Sequence, residues 1–137
     1  MNNDFPITIY HNPKCGTSRN TLEMIRAAGY EPEIIEYMKA GWTKKQLKDL
    51  LGSMTAAARD ILRAKELLAQ ELALSDESTA EDAILDAMVD NPVLVNRPIV
   101  ITPKGVKLCR PSEVVLSLLE NAPDTFTKED GEVIKSR

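Results

Sequence analysis

One cysteine in this sequence stands among bases and small polar residues, in the string His11-Asn12-Pro13-Lys14-Cys15-Gly16-Thr17-Ser18-Arg19. The chemistry such a residue can do is nucleophilic attack, provided its thiol is ionised. A cysteine at the start of a helix meets free backbone N–H groups and the positive end of the helix dipole. Together these can lower a thiol pKa from about 8.5 by one to several units. Lys14, Arg19 and His11, the only histidine, add positive charge, while Thr17 and Ser18 offer hydroxyl donors. The same N–H groups form a cradle for a tetrahedral oxyanion, so one loop can both activate a nucleophile and bind its target. Most free cysteines are small buried hydrophobes. An apolar filler, however, has no need of Gly16, Thr17, Ser18 and flanking bases.

Two neighbours carry separate expectations. His11 reads equally well as a strand-end residue or as a group that tunes the charge of Cys15. Ser18 stands three residues after Cys15, where a two-cysteine redox motif has its second sulfur. Cys15 therefore cannot close a Cys-x-x-Cys disulfide, and its oxidised form must be resolved by another molecule. The second cysteine, Cys109, is out of phase with Val106 and Leu108, which leaves a core position open. It reads as a structural or bystander thiol, with only Arg110 beside it to suggest activation.

The elements that position this loop follow from periodicity. The β-rich run Ile7–His11 stops at the turn signal Asn12-Pro13. From Ser18 the spacing of Leu22, Ile25 and Arg26 is helical, with Gly29 as its stop, and Glu33–Tyr37 gives a second strand. This is a β-α-β unit with parallel strands and the cysteine loop at its first junction. From Thr43 to Asp90 the chain is rich in Ala, Leu, Lys and Glu, with Thr43 and Ser53/Thr55 as candidate caps. It reads as several helices forming an inserted subdomain, about residues 43–90. Ile99–Thr102 and Val106–Cys109, joined by Pro103-Lys104-Gly105, predict an antiparallel hairpin. Pro111-Ser112-Glu113 opens a last amphipathic helix through about Leu119. The polar tail from Asn121 reads as a loosely held surface segment. The predicted fold class is α/β: a single thioredoxin-like domain over 1–137, its mixed-sheet core about 6–38 and 92–120.

Composition narrows the function. The 137 residues suit one domain, and 43% hydrophobic with 28% charged residues is ordinary for a globular chain. With 17 Lys+Arg against 21 Asp+Glu the net charge is −4, which argues against a nucleic-acid footprint. No apolar stretch reaches the roughly 20 residues a membrane helix needs, and Met1-Asn2-Asn3-Asp4-Phe5-Pro6 lacks the features of a secretory signal. A cytoplasmic location is expected, with both cysteines as thiols. One histidine and no Cys/His cluster leave no zinc site. No heptad or apolar stripe marks an interface, so the chain reads as a monomer.

The string from His11 to Leu22 resembles the active-site loop of the glutaredoxin-coupled arsenate reductases. So do Val95–Val100 and Leu108–Val115, and the likeness runs from about Ile7 to about Glu132, including Ile61-Leu62-Arg63. The resemblance implies a thioredoxin-like core with a helical insertion, Cys15 as the catalytic cysteine, and Arg63, Arg97 and Arg110 as the arginines that hold the oxyanion. Arg97 and Arg110 lie in clear motif matches. Arg63 precedes Ala64 where the family usually has Lys or Thr, and Arg59 competes with it one turn away. Guanidinium groups suit arsenate because they meet its oxygens in planar, charge-assisted pairs. A cis peptide at Arg97-Pro98 is also predicted, since a cis proline facing the active-site loop is a feature of thioredoxin-like folds.

The implied reaction is attack of the Cys15 thiolate on arsenate, then glutathione as co-substrate, then glutaredoxin, with no metal or organic cofactor. Two alternatives share the fold. One is a binding protein similar to the Spx-type transcriptional regulators that contact RNA polymerase, which usually carry a Cys-x-x-Cys switch. The other is a glutathione-dependent thiol reductase of a different substrate.

Overall fold

The computed structural model describes residues 4–135, which gather into two compact units. One comprises the chain up to Glu36 and from Arg97 onward; the other is Tyr37–Asn96.

The first unit is built on a four-stranded mixed sheet of order β2-β1-β3-β4, formed by β1 (Thr8–His11), β2 (Glu33–Glu36), β3 (Ile99–Thr102) and β4 (Gly105–Leu108). β1 and β2 are parallel, with Ile9 level with Ile34, because α1 (Gly16–Ala27) carries the chain back between them. β1 and β3 are antiparallel, Ile9 facing Val100, and β3 and β4 close the predicted hairpin with Ile99 opposite Leu108. The turn is tighter than expected: Thr102 already pairs with Gly105, whose φ of 144° few side chains tolerate, so Pro103-Lys104 alone make the loop. Gly29, at φ 95°, ends the helical run as anticipated.

Strand alternation puts Ile7, Ile9 and His11 on one face of β1, all buried. That face packs with Leu22, Met24 and Ile25 of α1, Val100 of β3, and Val115, Leu118 and Leu119. The last three belong to a segment expected to be an α-helix. It is instead a 3₁₀ helix, Ser112–Leu118. Its buried residues Ser112, Val115 and Leu118 recur every third position, so three residues per turn line them up on one edge. Thr102 Oγ1 donates to the Leu118 carbonyl at 2.7 Å and fastens this helix to the hairpin.

The tail corrects a second expectation. Far from a loose segment, it forms an antiparallel hairpin of β5 (Thr125–Thr127) and β6 (Val133–Lys135). Phe126 and Ile134, level in register, pack against the core of the first unit. Lys128 Nζ holds Glu113 at 2.8 Å.

The second unit contains short α2 (Tyr37–Ala40), α3 (Lys44–Met54), α4 (Leu67–Glu71) and α5 (Glu81–Asp90). It is wider than the 43–90 read from composition. Thr43 caps α3 through a full capping box with Gln46. Ser53 lies inside α3, and Thr55 closes that helix in the left-handed region at φ 52° instead of opening another. Lys44 bridges to Asp82 and Asp86 of α5, and Glu81 accepts the Ala58 N–H of a 3₁₀ turn, Ala58–Ile61. Among the described residues no helix is long and apolar enough to cross a membrane.

Candidate active site

The sheet topology itself gathers the site. β1 runs antiparallel to β3, and β3 to β4, so the end of β1, the approach to β3 and the exit from β4 lie at one edge. Those positions are the Cys15 loop, Arg97-Pro98 and Cys109-Arg110. The Cys109 N–H donates to the Pro98 carbonyl at 2.9 Å, continuing the ladder to this edge. The Arg97-Pro98 peptide is cis, as anticipated; so is Arg110-Pro111, which was not.

Cys15 is the N-cap of α1, which starts two residues earlier than periodicity suggested. A cap position leaves the N–H groups of the first turn without intrahelical acceptors. Those of Ser18 and Thr17 turn to the Cys15 sulfur. The Cys15 N–H closes a turn on the Asn12 carbonyl at 3.0 Å, and Asn12 Oδ1 accepts the Lys14 N–H. Arg110 Nη1 lies 3.9 Å from the sulfur and also donates to the Arg97 carbonyl at 3.0 Å, which ties the two arginine arms together. Burial raises the Cys15 thiol pKa, but the Ser18 N–H, the Arg97 charge, the Arg110 hydrogen bond and the Thr17 N–H outweigh it. The net effect holds the thiol below its ordinary value of 9.0.

His11 and Ser18 are both buried, with Nδ1 and Oγ 2.6 Å apart. The Ser18 hydroxyl accepts the Asn12 N–H at 3.1 Å, which leaves its own proton to donate to Nδ1. Burial, reinforced by Arg26 and Arg19 against the opposing charge of Glu36, lowers the His11 pKa below 6.5. His11 is therefore neutral near pH 7, and of its two readings, strand-end residue or source of charge at Cys15, the contact with Ser18 favours a hydrogen-bonding role over added charge.

Two other bases expected at the thiol are directed elsewhere. Lys14 is exposed. Arg19 donates through Nε and Nη2 to Glu129 and through Nη1 to the Pro13 carbonyl. Cys109 is fully buried in the core, where burial pushes its thiol up to about 12. Arg63 belongs to the second unit. There its N–H bonds the Leu94 carbonyl, and Nη1 pairs with Glu66 at 3.3 Å. Its competitor Arg59 donates to the Thr79 carbonyl. The residue that sequence reasoning missed is Glu129, 110 positions from Arg19 and without any local motif signal.

The arrangement around Cys15 provides a thiol held below its ordinary pKa, first-turn N–H groups and guanidinium charge from two hairpin arms. It can hold a tetrahedral oxyanion against a nucleophile.

Comparison with known proteins agrees. The sequence profile described as the ArsC family matches residues 10–118. The chain is 59% identical over 129 residues to "Arsenate reductase ArsI2" of Synechocystis sp., covering 93% of this chain and 92% of that one. It is 50% identical, with the same coverage, to an arsenate reductase of Escherichia coli. Among solved structures, an arsenate reductase from Vibrio cholerae superposes with a TM-score of 0.80 at 37% identity, covering 84% of this chain and 98% of that one.

Proposed function

The chain belongs to the ArsC family, and from that premise we propose how it works as an arsenate reductase: Cys15 attacks the arsenic, and glutathione with glutaredoxin supplies the electrons. The observation that carries this reading is the position of Cys15 at the N-cap of α1, with two N–H groups on its sulfur and the Arg97 and Arg110 arms beside it.

The thiolate displaces one arsenate oxygen, which leaves as water, and a sulfur–arsenic bond forms while arsenic stays at the +5 level. Arg97 and Arg110 hold the charge on the remaining oxygens, a task that the family resemblance also gives to Arg63. Two electrons are then needed. They come from two external thiols: glutathione displaces a second oxygen as water to bind the arsenic, and the glutaredoxin thiolate attacks the glutathione sulfur. The two sulfurs leave as a mixed disulfide while the electron pair of the broken sulfur–arsenic bond stays on arsenic, which falls to +3; water then adds to the arsenic and displaces Cys15, freeing arsenite and the thiol. His11 and Ser18 tune the nucleophile by fixing the first turn of α1.

An external reductant is favoured because neither internal option is available. Ser18 occupies the place of a resolving cysteine, and Cys109, the other thiol, lies in the apolar core with its proton firmly held. Reliance on free thiols places the enzyme in a reducing compartment, the cytoplasm.

The test is arsenate-dependent NADPH oxidation coupled through glutathione reductase, glutathione and glutaredoxin. Turnover abolished by Cys15→Ser and retained by Cys109→Ser is expected. Turnover sustained without glutathione and glutaredoxin would refute the external-thiol mechanism.

A further inference from the structure

We propose that the C-terminal β5-β6 hairpin is a brace for the active-site loop, and that Glu129 at its tip is a positioning residue acting on Cys15 through Arg19. The inference rests on Cys15 being the nucleophile and adds a requirement for a segment outside the loop and its arginines.

The geometry is a chain of contacts from the hairpin tip to the residues flanking the sulfur. Glu129 Oε2 accepts Arg19 Nε at 2.8 Å and Oε1 accepts Nη2 at 3.0 Å, a planar two-point pair. The remaining arm, Nη1, donates at 2.9 Å to the carbonyl of Pro13, two residues before Cys15. One guanidinium thus joins the carboxylate to the loop backbone. The next residue of α1 repeats the attachment: the Glu129 N–H donates to Asn20 Oδ1 at 3.0 Å. The tip also reaches the first helical residue, since a Cβ placed on Gly16 would lie 3.8 Å from Glu129 Oε1.

The tip is itself held. The Lys128 N–H bonds the Glu132 carbonyl, the Gly131 N–H bonds the Lys128 carbonyl, and Asp130 Oδ1 accepts the Glu132 N–H. Phe126 and Ile134 root the strands in the core, and Lys128 Nζ ties the base to Glu113. A carboxylate presented from so fixed a turn can set the position of a flexible arginine.

Arg19 and Glu129 are both about half exposed, so as a surface ion pair they add little to overall stability. Their value lies in holding Pro13–Gly16 so that the Thr17 and Ser18 N–H groups stay aimed at the sulfur. A misplacement there of a fraction of an ångström weakens the thiolate and the oxyanion cradle together.

The sign of one measurement separates positioning from a simple field effect. Removing a nearby carboxylate lowers a thiol pKa through charge alone, whereas loosening the loop raises it. Purified wild type, Glu129→Gln and Glu129→Ala are titrated by iodoacetamide alkylation of Cys15, followed by mass spectrometry, alongside melting temperature and steady-state arsenate kinetics. Expected is an alkylation midpoint raised by about half a pH unit, a kcat/KM loss of roughly five- to tenfold, and a nearly unchanged melting temperature. An unchanged or lowered midpoint overturns the proposal. In a cycle with Arg19→Ala, the double variant is expected to lose no more activity than the worse single one; additive losses also overturn it. The nucleophile assignment is tested separately by Cys15→Ser: retained turnover there sinks that assignment, while the alkylation midpoint still reports whether the hairpin braces the loop.

Discussion

The Nδ1 atom of His11 and the Oγ atom of Ser18 lie 2.6 Å apart, both side chains buried, one at the end of β1 and the other in the first turn of α1. This contact locks the strand to the helix across the loop that carries Cys15. It also fixes the imidazole as a neutral acceptor. Replacing Ser18 by Ala leaves Nδ1 and the Asn12 N–H without their partner, at a cost of about 1–3 kcal/mol for buried polar groups. Ser18→Ala is expected to lower the melting temperature and to raise the pH midpoint of Cys15 alkylation. An unaltered midpoint would show that the hydroxyl does not act on the thiol.

The depressed His11 pKa makes stability depend on pH in a definite direction. The unfolded chain binds a proton at His11 near pH 6.5, whereas the folded chain resists it. Stability is therefore complete above about 6.5 and declines as pH falls toward the lower folded value. The depressed Cys15 pKa has the same sign, with its window below 9.0. The two are separated by working in a Cys15→Ser background. Melting temperature in that background is expected to fall between pH 6.5 and 5, and to fall less in Cys15→Ser/His11→Gln; parallel curves would remove His11 as the cause.

The two thiols differ enough to be counted chemically. With Cys15 held below 9.0 and Cys109 pushed up to about 12 in the core, iodoacetamide at pH 7.5 is expected to add one label, on Cys15, to the native protein. Two labels are expected in denaturant. Peptide mapping by mass spectrometry reads this directly, and native labelling of Cys109 would contradict its burial.

Much of this site was legible because its residues are local or sit in matched turns. The Cys15 string spans one strand-to-helix junction, and Arg97 and Arg110 flank a hairpin whose strands announce themselves by β-branched residues. What escaped was set by distant pairing. Phe126 stands between two threonines and Ile134 between Val133 and Lys135, so neither gives a clear alternating pattern, and only their register across Gly131 shows that they share a face. The reach of Arg19 to Glu129 likewise has no spacing rule, so its charge was assigned to the thiol by proximity in sequence. The 3₁₀ helix at Ser112–Leu118 was misread because apolar residues at Val114, Val115, Leu116 and Leu118 satisfy an α-helical pattern as well.

The arginines are expected to separate into two classes. Arg110 bonds the Arg97 carbonyl and stands by the Cys15 sulfur, so Arg110→Ala removes charge from both thiolate and substrate. Losing one charge-assisted hydrogen bond costs about 1.5–3 kcal/mol, or roughly 10- to 150-fold in kcat/KM. Its alkylation midpoint should rise as well. For Arg63→Ala, which pairs with Glu66 and bonds the Leu94 carbonyl within the helical unit, an increase in KM for arsenate is expected with the alkylation midpoint unchanged. A shifted midpoint in Arg63→Ala would mean that Arg63 also acts on the thiol.

Cys109 offers a test in which stability and activity part company. Its side chain is fully buried in the core cluster that also holds Ile9, Val100 and Val115, with the Lys107 carbonyl 3.7 Å from the sulfur as a weak acceptor. A serine there carries a strongly polar hydroxyl into the same apolar space, and burying such a group with poor partners costs about 1–3 kcal/mol. Alanine instead removes a sulfur and leaves a small void. Both Cys109→Ser and Cys109→Ala are expected to melt several degrees below wild type, with kcat and KM for arsenate close to unchanged at a temperature where all are folded. The serine variant should be the less stable because the void loses dispersion contacts alone, whereas the hydroxyl also loses its hydration. A large loss of kcat at full foldedness would instead place Cys109 in the reaction, as a thiol that reaches the arsenic or the Cys15 adduct.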